Sequence, residues 1–337
     1  MYPPDDPFLI NTTIGGIYLT IRWYAVFILG GVMIAGMIGT RRARDRGYNP
    51  DHVWNALMLG LILGVLFARL WYVAFEWKRF EGQPILTILN PATGGLAMHG
   101  AILGGALAAA IYTRRHKLNL LDWLDIAAPG YAIAQAIGRW GNFFNQEAYG
   151  RPMADPRPWG LRIDPEHRIP PYNDLAQFPE ATRFHPTFLY ESLWNLTVFL
   201  SLLLVERRWG AKLRRGDTAL LYGVFYSIGR FFVEDLRVDK LCTGGVGGVV
   251  CEQGFSTARL VSVVLILVCS AIFIGRRLLR PKPPASAYQP LGQTWPPDKG
   301  VAGTLEPTQD AIAEETTGEQ AADAGGNQRP QEGQPAG

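Results

Sequence analysis

The chain has 337 residues, of which 48% are hydrophobic and 18% charged, with a formal net charge of +3. Soluble domains average about 25% charged. This balance excludes a disordered chain, a disulfide-dense miniprotein and a collagen-like fibre.

The mean hydropathy of +0.05 averages unequal parts. A bilayer core needs about 20 mostly apolar residues in helix. In chain order, seven segments answer to that requirement. Trp23 to Thr40 is uncharged, and Val53 to Phe75 carries one charge, Arg69. Ile85 to Thr113 has no Asp, Glu, Lys or Arg and one histidine, His99. Leu118 to Gly138 carries Asp122 and Asp125, and Pro186 to Val205 carries Glu191. Thr218 to Leu236 carries Arg230, Glu234 and Asp235, and Leu260 to Gly275 is uncharged. Basic clusters follow the odd-numbered segments: RRARDRGY, TRRHK, ERRWGAKLRR and GRRLLRPK. Positive loops stay in the cytoplasm. The alternation predicts an all-α polytopic membrane protein with seven transmembrane helices, the N-terminus outside and the C-terminus cytoplasmic. The acidic, proline-rich start MYPPDDPFL is no cleavable leader, so the first segment is expected to stay as an anchor.

The membrane domain is expected over residues 1–280, with an outer loop at about 139–185. Residues 281–337 are polar and rich in Pro, Gly and Ala, which predicts a disordered cytoplasmic tail. Cys269 lies in the last segment, where it is expected to pack. Cys242 and Cys251 flank a Gly-rich outer loop. A disulfide and a pair of free thiols both remain open for them.

Charged and polar residues are costly at membrane depth and mark functional candidates. Four clusters stand out. The first is MHGAILGG, with His99 beside the GxxxG of Gly100 and Gly104. Its histidine suits a proton acceptor or headgroup ligand, or a single structural hydrogen bond. The GxxxG points more to helix packing than to chemistry. The second is GRWGNFFNQEAYG, with Arg139, Asn142, Asn145 and Glu147 within nine residues. A guanidinium fork matches phosphate, and Gly138 and Gly141 would let a ligand approach the backbone. The third is Tyr226, Arg230 and Glu234, on one helix face at i, i+4 and i+8. Arg230 and Glu234 either neutralise each other or serve an anion site shared with Arg139. The fourth is FHPTFLYES, where Tyr190 and Glu191 read as anchors or as part of a site. Tyr24, after Arg22 and Trp23, is an interfacial anchor or a cavity residue.

The thirteen residues Gly138–Gly150 resemble the signature of the bacterial phosphatidylglycerol–prolipoprotein diacylglyceryl transferases. RWYA at Arg22–Ala25, MHGAILGG, HPTFLYE at His185–Glu191 and Tyr226-x-x-x-Arg230-x-x-x-Glu234 agree in the same order. The resemblance covers about residues 10–280 and omits the tail. It implies seven spans with an outside N-terminus, in the bacterial cytoplasmic membrane, with an active site near the outer leaflet. The implied reaction moves the sn-1,2-diacylglyceryl group of phosphatidylglycerol to the lipobox cysteine thiol of a preprolipoprotein. A thioether forms and sn-glycerol 1-phosphate leaves.

On that resemblance His99, Arg139, Asn142, Glu147 and Arg230 are expected to be catalytic. Arg139 holds the lipid phosphate, and Arg230, Tyr24, Tyr226, Glu234, Gly100 and Asn145 bind substrate. The partners are phosphatidylglycerol, preprolipoprotein signal peptides and membrane lipids, but not nucleic acid, and the enzyme is expected to be a monomer. No P-loop, zinc spacing, G-x-S-x-G elbow or CxxC pair occurs, and no cofactor or metal is expected. His99, Glu147 and Glu234 remain alternative bases for the thiol. A transporter or lipid flippase would also place Arg, Glu and His among its spans. A membrane scaffold would leave the second cluster unexplained.

Overall fold

A computed structural model describes residues 1–4, 6–15, 17–91, 94–155, 157–242 and 256–279. Cys251 and residues 281–337 lie outside the described residues, so the expected tail and the bridging partner of Cys242 are not described.

The chain opens with an antiparallel hairpin, β1 (Phe8–Ile14) and β2 (Ile17–Arg22). Its β-branched, alternating sequence suits a strand pair, and Gly15 turns the chain at φ +59°. The hairpin is an addition to the all-helical expectation. Eight helices follow among the described residues: α1 (Trp23–Asp45), α2 (Asp51–Phe75), α3 (Ile85–Leu89), α4 (Met98–Arg115), α5 (Leu120–Phe144), α6 (Thr187–Trp209), α7 (Asp217–Leu236) and α8 (Thr257–Leu279).

The expected third span, Ile85–Thr113, is not continuous. It divides into the single turn α3 and the longer α4. Pro91 has no N–H to continue the α3 ladder. Gly94 and Gly95 then take positive φ, +82° and +73°, which no helix allows. The break places His99 in the first turn of α4 rather than mid-helix.

Four helices are long and apolar enough to cross a membrane: α1, α2, α6 with the short 3-10 turn that follows it, and α8. Their outer faces expose large apolar side chains such as Leu61, Ile62, Leu204 and Leu267. A water-soluble monomer rarely presents such a surface, whereas lipid tails accept it.

Two helix pairs pack through small residues. On α1 and α5, a Cβ added at Gly31 would reach 3.0 Å from the Ala134 carbonyl oxygen, and one at Gly130 would reach 3.0 Å from that of Ala35. On α2 and α4, Gly100 and Gly104 lie directly against the carbonyls of Phe67 and Leu63. Gly100, expected to bind substrate, is thus buried at a helix crossing. Small residues let backbones meet where no hydrophobic effect drives association.

The helix ends are tied by ionic clusters at both ends of the bundle. At one end Glu206 of α6 accepts from both terminal nitrogens of Arg42 of α1, at 2.6 and 2.7 Å, and from the Thr218 hydroxyl of α7. Asp125 of α5 accepts from the Gly216 and Ala219 N–H groups, capping α7. Asp217 takes Arg276 and Arg277 of α8. Arg42 and Arg46, which read as loop charges in the sequence, are in fact 3% and 1% exposed. Cys269 in α8 faces Gly223 of α7, the packing role expected of it.

Gly104→Val should lower the melting temperature in detergent, at a cost of about 1–3 kcal/mol from overpacking. Gly105→Val should leave it nearly unchanged, because nothing lies within 4 Å of its Cβ position. Equal melting of the two variants would refute the α2–α4 crossing.

Candidate active site

At the other end of the bundle, one carboxylate gathers three cations. Glu191 sits in the first turn and a half of α6, and its side chain is 6% exposed. Its Oε2 lies 2.5 Å from Nε of Arg139, which belongs to the last turns of α5. Its Oε1 accepts from Arg230 of α7 at 2.6 Å, with Arg237 at 3.6 Å. Arg230 also reaches Glu234 one turn on, at 2.6 Å. Arg237 is bidentate to Asp239, at 2.9 and 2.6 Å. Ser256 donates to the second oxygen of Glu234 at 2.5 Å. Three arginines and three acids thus close an almost neutral cluster across α5, α6 and α7.

The pairing reading of Arg230 and Glu234 holds. They pair with each other, and Arg230 shares Glu191 with Arg139. Arg139 and Glu147, close in the sequence motif, do not pair with each other. Glu147 instead accepts from the side-chain amides of Asn142, at 2.9 Å, and Asn145, at 3.3 Å. Positive φ values at Gln146 and Ala148, +53° and +55°, turn the chain so that Glu147 folds back over the α5 terminus. The closest contact of Arg139 with Glu191 is through Nε. Among the described residues its two terminal nitrogens make no hydrogen bond, and its side chain is 22% exposed. That leaves a planar fork of donors on a partly exposed, anchored guanidinium, suited to a phosphate.

The glycines of this motif play a different part from the one expected. The Cβ position of Gly141 falls on the Tyr24 ring, and that of Gly138 lies 3.3 Å from Ile28. They admit α1, not a ligand, and thereby bring Tyr24 beside the cluster. Trp23, Phe27 and Phe144 stack alongside, with centroids 5.0–6.4 Å apart.

Deeper in the bundle, Tyr226, Arg230, Glu191, Trp194 and Asn195 line a small pocket. Asn195 is 2% exposed, and its Oδ1 has no hydrogen-bond partner among the described residues. An unpaired buried amide oxygen is expensive, so this pocket favours a polar guest. Asn195, Arg237 and the bridging role of Glu191 went unread in the sequence. The spacing of Glu191 and Asn195, i and i+4 in an otherwise apolar run, was the available signal.

His99 stands apart. Its ring stacks on Trp71 of α2, with centroids 6.2 Å apart, and is exposed. Among the described residues it makes no hydrogen bond or ion pair with the arginine cluster.

The segment 145–186 is an ordered unit, not a plain loop. Tyr149, Leu161, Ile163, Tyr172 and Phe184 form its core, and Phe188 and Val238 join it to α6 and to the segment after α7. Arg168 is buried within it and donates to the carbonyls of Ile163, Phe178 and Glu180. Burial pushes the Tyr149 hydroxyl up to about 12, and burial with Arg151 nearby lowers His185 below the usual imidazole range. Gly150 pairs with Arg237 across this unit, which fixes the Arg237 backbone beside the cluster.

Glu191→Gln should destabilise the folded protein by about 3–5 kcal/mol, because the arginines around it lose a buried counter-charge. Asp155→Asn, in an exposed pair with Arg157, should cost under about 1 kcal/mol. Denaturation in detergent compares the two, and equal effects would remove Glu191 from its central place.

The family model described as prolipoprotein diacylglyceryl transferase matches residues 12–275. A relative from Chloroflexus aggregans, named phosphatidylglycerol–prolipoprotein diacylglyceryl transferase, is 53% identical over 304 residues, covering 88% of this chain and 98% of its own. One of the same name from Gloeobacter violaceus is 44% identical, covering 80% and 94%. Another, from Halalkalibacterium halodurans, is 40% identical, covering 77% and 83%. The chain belongs to the prolipoprotein diacylglyceryl transferase family.

Proposed function

We propose that the chain transfers the diacylglyceryl group of phosphatidylglycerol to the cysteine thiol of a prolipoprotein, and that the Arg139–Glu191–Arg230 cluster is where it does so. The transferase activity follows from family membership. The observation that carries the siting is Arg139, anchored by Glu191 through Nε and keeping its terminal donors for an anion.

In this reading the lipid phosphate docks on the Arg139 fork, with Arg230 behind it. The thiolate sulfur attacks the glycerol carbon that bears the phosphate ester. A C–S bond forms, the C–O bond breaks, and the electron pair leaves with sn-glycerol 1-phosphate. Positive groups fixed beforehand stabilise the growing charge without reorganising, commonly the largest catalytic contribution. Because Glu191 and Glu234 neutralise the arginines at rest, the empty site does not carry a bare double charge into the membrane. Asn142 and Asn145, held by Glu147, present amides to phosphate or glycerol oxygens. Tyr24 and Tyr226 flank the lipid, and the unpaired Asn195 amide offers a further polar contact.

A thiol of pKa about 8.5 must lose its proton to attack. His99 takes it, from the first turn of α4, where an exposed imidazole is open to an incoming peptide. Gly100 serves by letting α4 pack close to α2.

Seven helices, α1, α2 and α4 to α8, cross the bilayer, with the N-terminus outside and residues 281–337 in the cytoplasm. The Arg139 cluster and the 145–186 unit then share the outer face, and the Glu206 cluster sits at the cytoplasmic face. The bacterial cytoplasmic membrane supplies the lipid, and the lipobox helix enters from the membrane plane to a monomeric enzyme.

Purified protein with phosphatidylglycerol and a lipobox peptide should give a peptide heavier by one diacylglyceryl group, together with free glycerol phosphate. A Cys→Ser peptide should give neither. Folded protein that yields no product overturns the reading. Arg139→Lys should cost about 10²–10³ in rate, because an ammonium cannot reproduce the fork. Glu147→Gln keeps an amide oxygen for Asn142 and Asn145 and should retain more activity than Glu147→Ala. Equal losses would assign Glu147 to charge rather than to orientation.

A further inference from the structure

Arg69 is the one charge in the apolar body of α2, it is 2% exposed, and the reaction above does not use it. Its donors go to carbonyl oxygens of the broken segment that follows. Nε donates to Ile88 at 2.7 Å, and the terminal nitrogens reach Gly94, Gly95 at 3.2 Å and Thr87 at 3.3 Å. The guanidinium also lies over the Phe80 ring, 4.9 Å from its centroid.

These acceptors exist because Pro91 and the two positive-φ glycines stop the helix. Interrupting a helix leaves carbonyls without partners. At membrane depth no water replaces those partners, so irregular backbone survives only where protein satisfies it. A guanidinium has five N–H donors in a fixed plane and no acceptor, so it can serve several carbonyls at once. Neighbouring α2 residues complete the cradle. The Ala68 carbonyl accepts from Ala97 N–H at 3.0 Å, the Cβ position of Gly95 falls on the Tyr72 ring, and Trp71 stacks on His99. Four positions of α2, Ala68, Arg69, Trp71 and Tyr72, thus bracket the segment that ends at His99.

We infer that Arg69 is a positioning residue for the transfer reaction: it pins residues 85–91 and 94–97 to α2 and so fixes where the first turn of α4 begins, which sets the place of the His99 imidazole. This rests on the reading of His99 as the proton acceptor. Arg69 does not touch substrate. Its effect passes through the segment, and a lysine, with donors radiating from one atom, cannot span the same carbonyls.

A double-mutant cycle on the full chain tests this, with phosphatidylglycerol and a lipobox peptide as substrates. Arg69→Gln and His99→Gln should each lower the rate, by at least about tenfold and by about 10²–10³ respectively. Combining them should add less than about twofold to the His99→Gln loss, because the residue that Arg69 positions is gone. Losses that multiply would make Arg69 a general stabiliser and overturn the inference while leaving His99 in place. A wild-type rate for Arg69→Gln also overturns it. A wild-type rate for His99→Gln removes the acceptor reading itself, and the inference with it. Melting in detergent monitors folding. Should Arg69→Gln not fold, the cycle is run with Arg69→Lys, which keeps the charge, and the same two patterns decide.

Discussion

A carboxylate shared by arginines from two helices is the joint on which the site depends. Glu191 binds Arg139 of α5 and Arg230 of α7 while itself belonging to α6. Charges at such depth are tolerable only when paired, so the three helices cannot separate at this end without exposing an uncompensated ion to lipid. The same pairing holds two guanidinium groups close together, against their repulsion. In the proposed reading one guanidinium then serves two ends, Nε for the structure and the terminal nitrogens for the anion.

The bundle repeats this logic at its far end with Glu206 and Asp217 against arginines of α1 and α8. Between the two ends, α1 meets α5 and α2 meets α4 through glycine and alanine. At the broken segment between α3 and α4, Arg69 supplies the donors that the backbone lost.

Much of this was legible in the sequence. Arg139, Asn142, Glu147 and Arg230 stood out because polar residues in apolar runs are rare, and all lie in or beside the cluster. Long-range pairing was not legible. HPTFLYES reads locally as an anchor, because the partners of Glu191 lie 39 and 52 residues away. Arg42 and Arg46 looked like loop charges for the same reason, their acid being 164 and 160 residues on. The α3–α4 break was signalled by Pro91, Gly94 and Gly95, but the uninterrupted hydropathy of the stretch outweighed it. The roles of Gly138 and Gly141 could not be read, since a missing side chain makes room without naming the guest. In this fold the guest is Tyr24.

The spacing of the two charged layers carries one more meaning. Fifteen residues of α6 separate Glu191 from Glu206, and seventeen of α5 separate Asp122 from Arg139. At 1.5 Å per residue these spans are roughly 22 and 26 Å. A typical hydrocarbon core is about 30 Å thick. The two layers are therefore closer together than such a core is thick, and a charge left unpaired in either would be costly there.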